Sequence, residues 1–339
     1  MEKSWKTSTE RFCSQYLQLE DSLDFPPPEV LQLSAVQDYI HERLFADGAV
    51  QYGPPLRYQS QKLKQLLSRI EASIDDWDQF GISDDLMASL SMIIAQPLPQ
   101  EAEEAQQKCY VNYSLSLLQS ADETASITLL ENRFLIAASG TTGLRTWEAA
   151  LHMGQFLCGN KPLVHQKRIL ELGAGTGYLS ILCSRHLGAT HVIASDGSDD
   201  VVNNLPDNLF LNSLQESENI TPMDLKWGYA LLGTEEQKWN GGRPVDVVIG
   251  ADITYDKSVI PSLISTLEEL FDLYPSVDVY ISATQRNADT FQVFLDRCRE
   301  AGLLPVDMEY GVPNRIQQGG PFYNDKVNIL IYRICKDRS

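Results

Sequence analysis

The sequence is poor in several patterns that would assign it at once. No run of apolar residues approaches the ~18 that span a bilayer, and the opening Met1-Glu2-Lys3-Ser4-Trp5-Lys6 lacks the apolar core of a secretory signal. A soluble protein of the cytosol or nucleus, with no membrane partner, is expected. The cysteines Cys13, Cys109, Cys158, Cys183, Cys298 and Cys335 never fall at the close spacing of zinc ligands or a redox pair, and read as buried free thiols. His41, His152, His165, His186 and His191 form no i, i+4 pair and no evident triad, so neither a metal nor a covalent intermediate is called for. The Gly-Lys-Ser or Gly-Lys-Thr of a phosphate-binding loop is missing, which removes phosphate transfer. Positive charge is scarce as well. Lys and Arg number 27 against 46 Asp and Glu, a formal charge of −19, and such a surface repels a nucleic-acid duplex while attracting a basic protein.

What is present divides in two, as a length of 339 residues suggests. Residues 1–125 read as a helical N-terminal domain. Apolar residues recur at helical spacing in Val30, Leu31, Leu33, Val36, Tyr39, Ile40 and Leu44, and again in Leu63, Leu66, Leu67, Ile70 and Ile74. Breaks fall at Pro26-Pro27-Pro28, Gly53-Pro54-Pro55 and Pro97-Leu98-Pro99. Nothing there clusters residues for chemistry, so substrate recognition or scaffolding is its expected role, with Glu101-Ala102-Glu103-Glu104 a solvated acidic segment. From 126 to 339 short β-rich runs alternate with amphipathic segments, the pattern of an α/β domain with a largely parallel sheet. Strands are predicted near 168–172, 190–195, 222–227, 245–250, 277–282, 303–310 and 326–333, the last two antiparallel. Helices are predicted over 147–158, 178–187, 199–213, 258–273 and 288–301.

The informative run is Arg168-Ile169-Leu170-Glu171-Leu172-Gly173-Ala174-Gly175-Thr176-Gly177, a strand feeding a glycine turn and a helix. Alternating Gly173, Gly175 and Gly177 imply a backbone that approaches a ligand closely or takes positive φ. A tight turn with no ligand is the competing reading of the glycines alone. A dinucleotide fingerprint places its third glycine one position later, where Tyr178 stands, and Glu171 would repel a pyrophosphate. Glu171 instead suits the cationic amino-acid end of S-adenosyl-L-methionine. The next strand ends at Asp196, at the interval where a carboxylate grips both ribose hydroxyls.

In an open α/β sheet the crevice lies at the carboxyl ends of the strands where their order reverses, so the end of the strand Val245–Gly250 should face the substrate. There the chain reads Ala251-Asp252-Ile253-Thr254-Tyr255, without the Pro-Pro pair expected of enzymes that methylate the exocyclic amine of a base. Asp252 and Tyr255 are the candidate catalytic pair. The carboxylate would orient a lysine ammonium and the phenol would supply a wall or second acceptor. The competing reading makes Asp252 a cap for a helix starting near Ser258 and Tyr255 a core residue. A lysine of pKa ~10.4 at pH ~7.4 costs on the order of 4 kcal/mol to deprotonate, and a carboxylate alone makes that harder. Burial beside Tyr255 and a nearby sulfonium would lower the pKa, with water taking the proton.

These residues resemble the protein-lysine methyltransferases that share an Asp-x-x-Tyr motif. The resemblance runs through Gly143-Leu144-Arg145-Thr146-Trp147-Glu148-Ala149-Ala150, the glycine loop, Asp196-Gly197, Trp227-Gly228 and Ala251–Tyr255. It is strongest to the elongation factor 2 lysine methyltransferases, which carry an extra helical N-terminal domain and a Thr-x-Arg-Asn segment after the fifth strand, here Thr284-Gln285-Arg286-Asn287. The resemblance implies a seven-stranded, Rossmann-like methyltransferase sheet. It implies S-adenosyl-L-methionine as methyl donor, S-adenosyl-L-homocysteine as product, translation elongation factor 2 as protein partner, and a cytoplasmic monomer. Trp147 would pack against the cofactor; Gly173, Ala174 and Gly175 would line its amino-acid end. Asp196 would hold the ribose, Trp227 would lie near the adenine, and Ala251 would bring backbone next to the methyl donor. A methyltransferase for another protein, a small molecule or a nucleic acid, and a non-catalytic cofactor-binding scaffold, are the other readings of the same residues.

Overall fold

The computed structural model describes residues 2–100, 103, 106–120, 125–133, 142–229, 231, 243–286 and 288–336. Glu101, Ala102 and Glu104 of the acidic segment, and Asn287, lie outside the described residues. The chain forms two compact units, Met1–Ser116 with Gly319–Phe322, and Leu117–Gln318 with Tyr323–Ser339.

The first unit is built from the helices Glu2–Leu17, Pro28–Leu31, Ser34–Leu44, Leu56–Ser73 and Asp84–Ile94. Pro28 opens its helix because a first-turn position needs no N–H and welcomes a fixed φ. The apolar stripe read from the sequence is the core: Val36, Ile40, Leu63, Leu66 and Ile70 are fully buried together with Tyr16 and Leu86. One buried amide ties several segments. Gln37 donates from Nε2 to the carbonyls of Leu31 and Gly81, both at 3.0 Å, and accepts from the Ser83 N–H at 2.7 Å. Ser83 in turn caps the helix Asp84–Ile94 through its hydroxyl. Phe322 joins this unit by a reciprocal pair with Gln18, donating its N–H to Oε1 at 2.8 Å and accepting from Nε2. The region is not helical to its end, however. Cys109–Ser114 forms strand β1, whose Val111 and Tyr113 are buried; six residues are too few for periodicity to separate strand from helix.

The second unit adds β2, Ser126–Glu131, and seven strands of one sheet: β3, Arg168–Leu172; β4, His191–Asp196; β5, Ile220–Asp224; β6, Val247–Ala251; β7, Asp278–Thr284; β8, Leu303–Asp307; and β9, Ile329–Lys336. Their spatial order is β5-β4-β3-β6-β7-β9-β8. Neighbours from β5 to β7 are parallel, whereas β9 runs antiparallel to both β7 and β8. The inner strands are near-continuous runs of buried Ile, Val and Leu, as helix-covered parallel strands require. The prolines Pro222 and Pro305 sit in the two outermost strands, where a missing N–H is tolerated.

The helices Glu148–Gly159, Asp199–Leu211, Ile260–Leu273 and Ala288–Glu300 lie close to their predicted bounds. Tyr178–Ile181 is a single α-turn that continues as a π-turn through His186. Strand β5 begins and ends earlier than the apolar run of Leu225 and Trp227 suggests. The Leu225 N–H bonds to the Asp196 carbonyl at 3.0 Å and Gly228 takes φ +84, so that run is the exit turn. Strand β8 stops at Asp307, short of the predicted 310, because Glu309 takes φ +50. Strand order reverses between β3 and β6, and the carboxyl ends of these strands open onto the crevice described next.

Candidate functional site

Leaving β3, the chain takes left-handed φ at each glycine: +67 at Gly173, +55 at Gly175 and +84 at Gly177. A Cβ on Gly173 would stand 2.6 Å from the Ile253 side chain, and one on Gly175 would stand 3.1 Å from the Gly143 carbonyl. The turn is held by its neighbour. The Ala174 N–H donates to the Ser195 carbonyl at 2.8 Å, and Asp196 accepts from Gly175 N–H at 3.1 Å and from Ser198 N–H at 3.0 Å. Burial raises the Asp196 pKa, and these N–H bonds oppose the rise.

A cavity of about 390 Å³ opens over this turn. Gly173, Ala174, Gly175, Glu171 and Asp196 line it from β3, β4 and the turn, with Trp147 and Trp227 as aromatic walls and Ala251, Asp252 and Tyr255 from the end of β6. The sequence candidates therefore converge on one site, except Gly177. That glycine does not line the cavity: a Cβ there would meet Leu205 at 2.8 Å, so Gly177 serves the packing of the turn on the helix Asp199–Leu211.

Glu171 is 3% exposed and accepts a short hydrogen bond from the Ser180 hydroxyl. Burial pushes its pKa up to about 8, against the pull of Ser180. A carboxyl held this way is an incomplete ion pair that a cation in the cavity would complete. Combined with Asp196, whose oxygens keep acceptor capacity beyond their bonds from the Gly175, Gly197 and Ser198 N–H groups, and with a glycine surface that a Cβ would obstruct, the residues fit S-adenosyl-L-methionine.

At the opposite wall Asp252 takes φ +52, its N–H bonded to the Ser282 carbonyl at 2.9 Å. Its carboxylate accepts from the Thr284 N–H at 2.7 Å and the Thr284 hydroxyl at 2.8 Å, and Arg286 stands 3.7 Å away. Burial raises its pKa; the Thr284 bonds and then Arg286 oppose that. Asp252 caps no helix, for it is Asp256 that receives the Ser258 N–H at 2.8 Å. Tyr255 is not a core residue: it is 60% exposed, it lines the cavity, and its hydroxyl accepts from Thr142 Oγ1 at 3.2 Å.

Sequence reasoning missed what surrounds Trp147. Its indole N–H donates to the Thr142 carbonyl at 2.9 Å, and the guanidinium carbons of Arg145 and Arg286 each lie 4.6 Å from its ring. Arg286 also donates to Glu148 at 2.7 Å. A buried chain of hydroxyls fixes the segment before Trp147: Thr146 donates to Glu131 at 2.6 Å and shares a 2.7 Å bond with Thr176 of the glycine turn. The signals in the sequence were the run from Gly143 to Glu148 and the segment Thr284-Gln285-Arg286, whose first and third side chains both reach Asp252.

A family described as lysine methyltransferase matches residues 134–301. The protein-lysine N-methyltransferase EFM3 of Chaetomium thermophilum is 58% identical to this chain over 334 residues, 98% of this chain and 99% of that one. The EFM3 of Saccharomyces cerevisiae is 34% identical over 63% of this chain and 67% of its own length. The protein-lysine N-methyltransferase EEF2KMT of Mus musculus is 29% identical over 84% and 80%.

Two outcomes follow from the turn. Because the folded state holds the Glu171 proton more tightly than the unfolded chain, this residue makes stability fall as pH rises from the ordinary carboxyl value of 4.5 toward about 8. In urea titrations of the free protein, Glu171→Gln should flatten that decline and should weaken S-adenosyl-L-methionine binding by about tenfold or more, the scale of one charged hydrogen bond; an unchanged decline would refute the buried acid. Gly177→Ala should cost about 1–3 kcal/mol of stability through its positive φ and the Leu205 clash. Calorimetric titration should find its cofactor affinity close to wild type, and a selective loss of affinity would return Gly177 to the cavity.

Proposed function

The chain belongs to the lysine methyltransferase family, and on that premise we propose that it methylates a lysine side chain of translation elongation factor 2. The observation that carries the lysine reading is the placing of Asp252 on the same cavity as Glu171 and Asp196. The elongation factor rests on the Thr284-Gln285-Arg286 segment and on the resemblance it supports.

When bound, S-adenosyl-L-methionine supplies an electrophilic methyl on a sulfonium, the lysine nitrogen lone pair forming the new N–C bond as the C–S pair stays on sulfur to leave S-adenosyl-L-homocysteine. Every other task falls to the chain. Glu171 pairs with the ammonium of the amino-acid end, Asp196 accepts from the ribose hydroxyls, and Trp147 and Trp227 exclude water from the two sides. The backbone of Ala251 stands next to the reacting methyl. Asp252, immobilised by Thr284, receives the lysine as a charge-assisted hydrogen bond and sets its direction of approach. Tyr255, exposed at the mouth, lies against the lysine stem and does not bury it. The proton leaves to water. No metal takes part in this scheme. The helical unit contributes substrate recognition, the protein works as a cytoplasmic monomer, and the charge of −19 favours a protein partner with a basic surface over nucleic acid.

Transfer of labelled methyl into purified, unmethylated elongation factor 2, read by mass spectrometry, tests this. We expect label on one lysine, and a fall of about 10²-fold or more with Asp252→Ala, the scale of a lost orienting contact. A wild-type protein that binds cofactor and leaves elongation factor 2 unlabelled, while labelling a different protein, would overturn the substrate assignment.

A further inference from the structure

One side chain touches three of the groups around the cavity mouth without lining the cavity. Arg286, just past the end of β7, donates to Glu148 at 2.7 Å, stands 3.7 Å from the Asp252 carboxylate and lies 4.6 Å from the centre of the Trp147 ring. Its side chain is 45% exposed, so it is these contacts that fix it in place. Among the described residues, the charged or titratable groups around Arg286 and Trp147 include Glu148 from the helix Glu148–Gly159, Arg145 from the segment before that helix, and Asp252 and Tyr255 from the end of β6.

We propose that Arg286 is a positioning residue for proton loss, holding a fixed positive charge beside Asp252 and Trp147 so that the substrate lysine sits in the site as a neutral amine. The proposal rests on the reading that Asp252 faces that lysine. A carboxylate standing alone at this point would bind the ammonium and keep it protonated, the wrong form for a nucleophile. Arg286 offsets part of that field, and the carboxylate of Glu148 acts on Asp252 in the opposite sense. Its geometry divides the two tasks: the close bond goes to Glu148, which anchors the guanidinium, while the longer separation to Asp252 leaves the carboxylate able to accept from the lysine. Burial favours the neutral form of Asp252, and the two Thr284 hydrogen bonds, then Arg286, work against it. The lysine proton passes to water first. The freed lone pair then forms the N–C bond while the C–S pair remains on sulfur, and no further acid or base is required.

The test compares wild type with R286M, which keeps length and removes charge, and R286K, which restores charge. Methyl transfer to elongation factor 2 is followed across pH, and the Asp252 carboxyl is titrated by ¹³C NMR in the free protein. In R286M the alkaline rise in rate should move up by about one pH unit, with a roughly tenfold lower rate near neutrality that recovers at high pH. R286K should return the profile toward wild type, and the Asp252 carboxyl should titrate higher in R286M. A uniform loss of rate at every pH, or an Asp252 titration that does not move, would overturn the proposal. If the wild type fails to label elongation factor 2, the substrate assignment falls alone, and the Asp252 titration still decides the role of Arg286.

Discussion

The clamp between the glycine turn and the end of β4 is the contact on which the rest of the site depends. Three left-handed residues within five positions make a turn with a large choice of conformations, and ordering each glycine costs up to about 1 kcal/mol more than ordering an alanine. The cost is offset locally. The Asp196 carboxylate accepts from Gly175, the Ser195 carbonyl accepts from Ala174, and the Asn208 side chain donates to the Thr176 carbonyl at 2.8 Å. Asp196 also holds the Ser198 N–H at the start of the next helix. The residue proposed to meet a ribose is therefore also the one that shapes the loop, and its loss would disturb the loop in any case.

The far wall repeats this design one strand pair along. Asp252 leaves β6 in a left-handed conformation, and its N–H and carboxylate are tied to Ser282 and Thr284 of β7. The register of β6 against β7, which pairs Ala251 with Ser282, thereby sets where the acid points. Ser282 donates from its hydroxyl to the Ala149 carbonyl at 3.1 Å, linking the same strand to the helix that follows Trp147. Sheet register, acid orientation and the aromatic wall are thus mechanically one object.

How much of this was legible in the sequence depends on how far apart the partners stand. Glu171, Gly173, Gly175, Asp196 and Asp252 were readable because strand ends in a parallel sheet converge, so a strand assignment is already a site assignment. Which task Gly177 serves was not legible, because a glycine required by Leu205 and a glycine required by a ligand look alike in a string of letters. The partner of Tyr255 was not legible: Thr142 lies 113 residues away, and no local rule connects them. The same holds for Arg286, whose contact with Glu148 spans 138 residues. β1 escaped because a strand of six residues gives too short a pattern, and β5 slipped because apolar side chains at its exit turn extend the strand's own composition.

The electrostatics of the cavity follow from these structural demands. Burial raises the pKa of Glu171, Asp196 and Asp252 alike, and in each case hydrogen bonds hold back only part of the rise. Carboxyls in that condition are more stable when a positive charge approaches than when the cavity holds neutral matter. With an effective dielectric near 20, a cation at about 4–7 Å from one ionised carboxylate gains on the order of 2–4 kcal/mol. A ligand that carries positive charge is therefore favoured over one of the same shape that has lost it. A donor that becomes neutral at sulfur once its methyl has gone would lose only the part of this attraction that its sulfonium supplied.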